Sequence, residues 1–188
     1  MDKLIEFILQ FGTLQPDQIA LVIRAGSEIV VKKDEYFSEA GKIPRQVGFV
    51  TEGVIRGCYY SNKGEEITRC FIDENNLVVD YPNFETASAS SEYLQACTDS
   101  KLIVFSKKDW EGLSDSVVGW DDIRNKMVRK CMFLKSRKSP VVSQDGTTRY
   151  LEFMNNYPLL INRIPLAFVA SYIGVTPQSL SRIRKNIQ

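Results

Sequence analysis

Histidine is absent from all 188 residues. That absence removes at once the usual general base, the Ser-His and Cys-His nucleophile pairs and the commonest metal ligand. Catalysis would have to rest on carboxylates, Lys, Tyr or thiol, and no run of the chain gathers those into a motif. Closely spaced cysteines are missing too. Cys58, Cys70, Cys97 and Cys131 lie 12, 27 and 34 residues apart, without the tight pairs that zinc and iron-sulfur sites use. Isolated reduced thiols are expected, with no metal, no cofactor and no enzymatic reaction. No apolar run approaches a bilayer span, and Met1-Asp2-Lys3-Leu4-Ile5-Glu6 carries acids where a signal peptide has a basic end. The expectation is a cytoplasmic chain with no membrane partner. Internal repeats and low-complexity tracts are also lacking.

What is present is a chain large enough to bury a real core, 44% hydrophobic and 25% charged. The net charge of +1 hides a strong asymmetry. Residues 1–119 hold 12 Lys and Arg against 19 Asp and Glu, a balance of −7, while residues 120–188 hold 12 against 4, a balance of +8. A basic back half makes a polyanion the obvious partner; a merely solvated basic face is the plainer alternative.

Residues 2–11 and 16–24 read as short amphipathic helices, the second opened by Pro16. From Ser27 to Ser106 the texture is β-rich, with runs at Ile29–Val31, Val47–Thr51, Val54–Tyr60, Glu66–Ile72, Tyr93–Ala96 and Leu102–Phe105. Turn residues at Gly41, Gly53, Asn62-Lys63-Gly64 and Glu74-Asn75-Asn76 separate them. Short strands without long intervening helices predict an α+β chain built on an antiparallel sandwich or jelly roll. Ser106-Lys107-Lys108-Asp109-Trp110 begins another helical segment. From Trp120 onward, Trp120, Ile123, Met127 and Leu134 fall at 3-4-7 spacing on one helical seam, with Asp121, Asp122, Lys126, Arg129 and Lys135 off it. Lys130 and Arg137 break the seam, so a long autonomous coiled coil is not expected. The helix would pair with a second copy of itself or dock on its own barrel. Ser139-Pro140 ends it, and Ser143-Gln144-Asp145-Gly146 reads as a hinge.

The last segment carries the most specific pattern. Val169, Ile173, Val175, Leu180 and Ile183 are apolar, Ala170 is small, and Gly174 follows four residues later, which is the spacing of a helix-turn-helix. A crossing helix requires a small residue at Ala170, and a tight turn requires the left-handed backbone that Gly174 adopts readily. Thr176 suits an N-cap and Pro177 the first helical turn. On the helix that follows, Leu180, Ile183 and Ile187 share one face, while Gln178, Arg182 and Lys185 cluster on the other with Ser181 at its edge. Arg reads guanine and Gln reads adenine bidentately, and Ser or Lys reaches bases or phosphates. Gln178, Ser181 and Arg182 are therefore assigned to base edges in double-stranded DNA, and Thr176, Ser179, Arg184 and Lys185 to phosphates. An ordinary two-helix corner with solvated basic residues is the bland alternative.

With a front β-roll, a connecting helix and the run Val169-Ala170-Ser171-Tyr172-Ile173-Gly174-Val175-Thr176-Pro177-Gln178-Ser179-Leu180-Ser181-Arg182-Ile183-Arg184-Lys185 in that order, the chain resembles the Crp/Fnr family of bacterial transcription regulators. The likeness extends over nearly the whole sequence and includes Arg149-Tyr150 upstream. Val47-Gly48-Phe49-Val50-Thr51-Glu52-Gly53-Val54-Ile55-Arg56 is similar to the family's strand-Gly-strand hairpin, and Asn62-Lys63-Gly64-Glu65 to its next turn. The resemblance implies a cyclic-nucleotide-binding-like β-roll sensor over 1–115, a connecting and dimerisation helix over 116–140 and a helix-turn-helix over 141–188. It also implies a homodimer that sets two recognition helices in successive major grooves, with Trp120, Ile123, Met127 and Leu134 as the dimer seam.

Cyclic-nucleotide-binding members carry Gly-Glu and a later Arg followed by Ser or Thr around the phosphate. The corresponding stretch here, Val79 to Glu92, lacks them, and no basic residue occurs from Leu77 to Ser100. A buried phosphate without an Arg or Lys is badly uncompensated, so tight binding of cyclic AMP or cyclic GMP is not expected. If an unidentified effector binds, Asp80, Tyr81, Asn83, Phe84, Ser90, Ser91 and Tyr93 would line its pocket; otherwise the stretch is a polar surface loop. The oxygen-sensing branch's N-terminal cysteine cluster is absent, and a haem sensor would want a ligand such as His. The sequence ends at Gln188 with no residues for a β-wing, so backbone anchoring is expected from Arg163 or from Lys135 to Lys138. A rival reading is a small-molecule-binding β-roll or cupin-like enzyme with structural C-terminal helices, in which the basic tail has no role.

Overall fold

The run Leu102-Ile103-Val104-Phe105 is apolar at every position, a pattern a strand tolerates only when both of its faces are covered. The computed structural model, which describes residues 1–137 and 144–187 apart from the Arg137 side chain, shows what covers them. Eight strands form two antiparallel four-stranded sheets. One has the order β1 (Ser27–Val31), β8 (Ser100–Ser106), β3 (Gln46–Glu52), β6 (Leu77–Val78), and the other the order β2 (Tyr36–Ser38), β7 (Tyr93–Ala96), β4 (Ile55–Tyr60), β5 (Glu66–Ile72). Between the sheets, Leu102 and Val104 meet Val50, Ile55, Cys70, Ile72, Val78 and Leu94. On the far side of the first sheet, Ile103 and Phe105 join Val47 and Phe49 beneath helices.

Those helices are α1 (Asp2–Ile8), α2 (Pro16–Ala25), α4 (Lys107–Ser116) and α5 (Trp120–Arg137). Leu4, Phe7, Val22, Trp110, Leu113 and Trp120 bury into one cluster with the sheet. The outer face of the second sheet has a different cover. Phe71 and Val54 pack under α6 (Gly146–Asn156), α7 (Leu166–Ile173) and α8 (Pro177–Ile187) through Phe153, Tyr157, Tyr172 and Leu180. The antiparallel β-roll expected from the strand spacing is therefore a two-sheet roll with a helical layer on each outer face. α6 was not anticipated as a helix; the Asp145 carboxylate caps it, accepting from the Thr147 and Thr148 N–H groups at 2.8 and 3.0 Å.

Three expectations need correction. The run through Gly53 is not a hairpin, because β3 pairs with β6 and β8 while β4 pairs with β5 and β7. Gly53 (φ +102°) carries the chain from one sheet to the other, and a Cβ there would lie 2.7 Å from Ser100 Cα and 2.8 Å from the Asp99 carbonyl. The stretch Asp80 to Glu92 is not simply a loop, since Tyr81–Thr86 forms the short helix α3 with Pro82 in its first turn. Finally, Trp120, Ile123 and Met127 are 0%, 3% and 1% exposed in the chain's own core, and Leu134 is half-buried beside Phe71, Ile72 and Cys131. The 3-4-7 seam is consumed by docking on the chain's own barrel and cannot serve as the dimer contact. The proposed helix end at Ser139-Pro140, the start of the hinge at Ser143, and Lys138 lie outside the described residues.

Candidate nucleic-acid interface

α7 and α8 are joined by the turn that the sequence required. Gly174 caps α7 at φ +67°, ψ 42°, its N–H donates to the Ser171 carbonyl at 3.2 Å, and the Val175 N–H reaches back to Ala170 at 3.0 Å. A side chain at Gly174 would be strained by that φ and would also lie 3.0 Å from the Arg149 guanidinium. α8 then starts sharply: the Ser179 N–H donates to Thr176 Oγ1 at 3.1 Å, and Pro177 occupies the first turn. Leu180 is fully buried and Ile183 half-buried against α6 and α7, fixing the angle of α8.

The opposite face is open. Gln178, Ser181, Arg182 and Lys185 are exposed, with Arg184 and Ser179 half-exposed toward the packed side. Among the described residues no carboxylate pairs with Arg182, Arg184 or Lys185. The hydroxyls are more constrained than the side-chain chemistry suggested. Thr176 Oγ1 and Ser179 Oγ bond each other at 3.0 Å within the cap, and Ser181 Oγ donates to the Pro177 carbonyl at 3.0 Å. Phosphate contact at this end would draw on the free N–H groups of the first helical turn as much as on hydroxyls.

The helix-turn-helix is held to the β-roll by named contacts. Ser171 Oγ accepts from the Thr68 N–H at 2.9 Å and donates to the Glu66 carbonyl at 3.0 Å. Phe71 lies 5.4 Å from the Tyr172 ring, 5.7 Å from Tyr157 and 6.0 Å from Phe153. Arg56, 2% exposed, pairs with Glu66, donates to Gln95 and Thr68, and stacks 3.5 Å from the Phe168 ring centroid of α7. Arg163 forks onto Glu74, with Nη1 at 3.0 Å from Oε2. Arg163 and Lys135 are thus both engaged within the chain, which corrects their assignment as DNA-backbone anchors.

The residues expected to line one effector pocket are dispersed. Phe84 is 1% exposed in the helix-side core with half-buried Tyr81 against it. Asp80 accepts from Asn83 and Ser90 at 2.7 Å each and borders a cleft of about 570 Å³ beside Lys42 and Arg45. Ser91 faces a separate cleft of about 840 Å³. Tyr93 lies between Tyr36 and Tyr60, at 5.2 and 5.7 Å. The helical turn of α3 points alternate side chains of this stretch in opposite directions.

Sequence reasoning missed the group that fills the interior next to it. Glu92, its side chain 6% exposed, accepts from Lys135 of α5 at 2.5 Å and from Arg69 at 3.3 Å. Burial works to lower the Lys135 ammonium, but the Glu92 carboxylate more than offsets it and holds the group above its ordinary value. The four cysteines are buried and free. Burial pushes Cys58 and Cys97 up to about 12 and Cys131 to about 11, which makes them inert as nucleophiles. Among the described residues there is no cluster of metal-ligating groups, and no helix is long and apolar enough to cross a membrane.

No family model matches the chain, and no curated protein sequence matches it. Solved structures do. FixK2 from Bradyrhizobium japonicum superposes with a TM-score of 0.67 at 14% identity, covering 86% of this chain and 84% of FixK2. The c-di-GMP-responsive global regulator CLP of Xanthomonas campestris gives 0.71 at 14% identity, over 93% and 92% of the two chains. A putative transcriptional regulator of the Crp/Fnr family from Eubacterium rectale gives 0.64 at 16% identity, over 93% and 84%. At such low identity the likeness speaks to architecture: the chain has the Crp/Fnr regulator fold, a two-sheet β-roll followed by a helix-turn-helix.

Proposed function

We propose that the chain is a sequence-specific regulator that binds double-stranded DNA through α8. The observation that carries this reading is the open, basic face of a sharply capped second helix: Gln178, Ser181 and Arg182 at base edges, with Arg184, Lys185 and the Thr176-Ser179 cap toward phosphates. The fold likeness to FixK2, CLP and the E. rectale regulator supports it, as does the +8 balance of residues 120–188. The division into a sensing roll (1–115), a connecting helix (116–140) and a DNA-binding module (141–188) follows the same reading, as does a cytoplasmic location. Two copies would place two α8 helices about one turn of DNA apart. Because the apolar seam of α5 is buried, the pairing surface is assigned to its outward face, where Arg129, Met132 and Phe133 are exposed.

Binding to the protein's own upstream DNA, titrated at two salt concentrations, tests this. Affinity should fall steeply with salt, and Arg182→Ala should weaken it by roughly ten- to a hundredfold. Salt-insensitive binding together with an unaffected Arg182→Ala variant would sink the reading.

Cyclic AMP and cyclic GMP are not assigned as effectors. Where a cyclic phosphate needs a cation, the stretch Leu77 to Ser100 supplies none, and Lys135 and Arg69 are already drawn onto the buried Glu92 carboxylate. A ligand phosphate would have to break that pair and repel the carboxylate. Calorimetry should detect no binding of either nucleotide in the micromolar range; a clear isotherm there would overturn this assignment.

A further inference from the structure

The cleft of about 840 Å³ lies between the β4–β5 hairpin and the helix-turn-helix, with Tyr59, Arg69, Ser91 and Glu92 on one side and Arg149, Ser171 and Gly174 on the other. Its charge is lopsided. The carboxylate on its wall, Glu92, is neutralised from behind by Lys135 through Oε1, while Oε2 meets Arg69 at the longer distance of 3.3 Å. Across the cleft Arg149 has no carboxylate partner among the described residues, and its Nε is shut off from solvent without an acceptor. A guanidinium held with a buried, unpaired N–H is in an environment suited to an anion. Arg69 is 53% exposed along its side chain and is available to the same space. Tyr59, 38% exposed on the hairpin, adds a flat apolar wall.

We propose that this cleft binds a small organic anion, a phosphate or carboxylate on a flat ring, with the anionic group at Arg149 and Arg69 and the ring against Tyr59. The ligand would touch both the β-roll and the residue that packs over the Gly174 turn, 3.0 Å from where a Cβ would stand. Occupancy would therefore bear directly on the placement of α8. That consequence rests on the DNA-binding reading, whereas the binding itself does not.

The test is calorimetric titration of the full chain with phenyl phosphate, benzoate and the neutral benzyl alcohol. Phenyl phosphate or benzoate is expected to bind, the tighter of the two naming the head group, and benzyl alcohol is not. Arg149→Gln and the more exposed Arg69→Gln should each weaken the anion about tenfold or more while leaving thermal unfolding near that of the wild type. Absence of binding by both anions, equal binding of the alcohol, or unchanged affinity in both variants would overturn the proposal. So would an Arg149→Gln variant that loses only DNA affinity, since Arg149 would then be a backbone contact for DNA. No DNA is present in the titration, so a negative result there leaves the regulator reading standing, and failure of that reading leaves the titration intact.

Discussion

Arg56→Ala is expected to lower the unfolding free energy by about 3 kcal/mol, measured by urea denaturation. Arg56 is a strand residue whose guanidinium is almost wholly buried, and each nitrogen has work: Nε and Nη2 to Gln95, Nη1 to Thr68 and Nη2 to Glu66. Removing it leaves the Gln95 carbonyl, 8% exposed as a residue, without its donor. Glu66 keeps a third of its side chain in solvent, so its loss of a partner is partly compensated by water and the effect falls at the lower end for a broken buried pair. Arg56→Lys should recover little of the loss, because a single ammonium cannot reproduce a fork aimed at three partners while stacking on Phe168. Full recovery by lysine would mean that charge alone matters and that the fork does not.

Phe71→Ala should be at least as damaging, by about 3–5 kcal/mol. Phe71 projects from β5 into the helical layer, where Phe153, Tyr157 and Tyr172 surround it, so truncation opens a cavity in the seam between roll and helix-turn-helix. The two losses should differ in kind. Limited proteolysis of Phe71→Ala should release α6 to α8 before the β-roll is cut, because the roll's inner core, which Phe71 does not enter, is left intact. Proteolysis of roll and helices at one common rate would show instead that the layers unfold as a unit.

Both positions show where the sequence was readable and where it was not. The turn between α7 and α8 was legible because its rules are local: a left-handed residue at Gly174, an N-cap at Thr176 and an apolar spacing through Leu180 decide the geometry within a few positions. Most strands were legible for the same reason. The Gly53 segment was not, because the sheet a strand joins depends on partners far along the chain: β3 meets β8, and β4 meets β5 and β7. α3 has six residues, too few for a helical period to register. The α5 seam was correctly periodic, but an apolar stripe looks the same whether a barrel or a second helix covers it.

The buried charges were the least legible. Arg56 interrupts an apolar run at Val54 and Ile55, which could have marked it as a charge with a partner, yet Gln95 lies 39 residues away. Lys135 and Glu92 are 43 residues apart. Lys135 read as a solvated residue off the seam, when its ammonium in fact reaches into the roll. That pair also explains why the seven residues named around Asp80 do not share one pocket: the neighbouring interior already holds a carboxylate and its cations.

The central claim is that α8 reads base sequence, and selection of duplexes from a random pool by the wild-type chain tests it most directly. The expected product is a two-fold symmetric site with half-sites about 10 base pairs apart, or a multiple of that, and selection by Arg182→Ala should lose the preference at one base of each half-site. Recovery of no common sequence by the wild type, or of the same site with undiminished preference by Arg182→Ala, would contradict it.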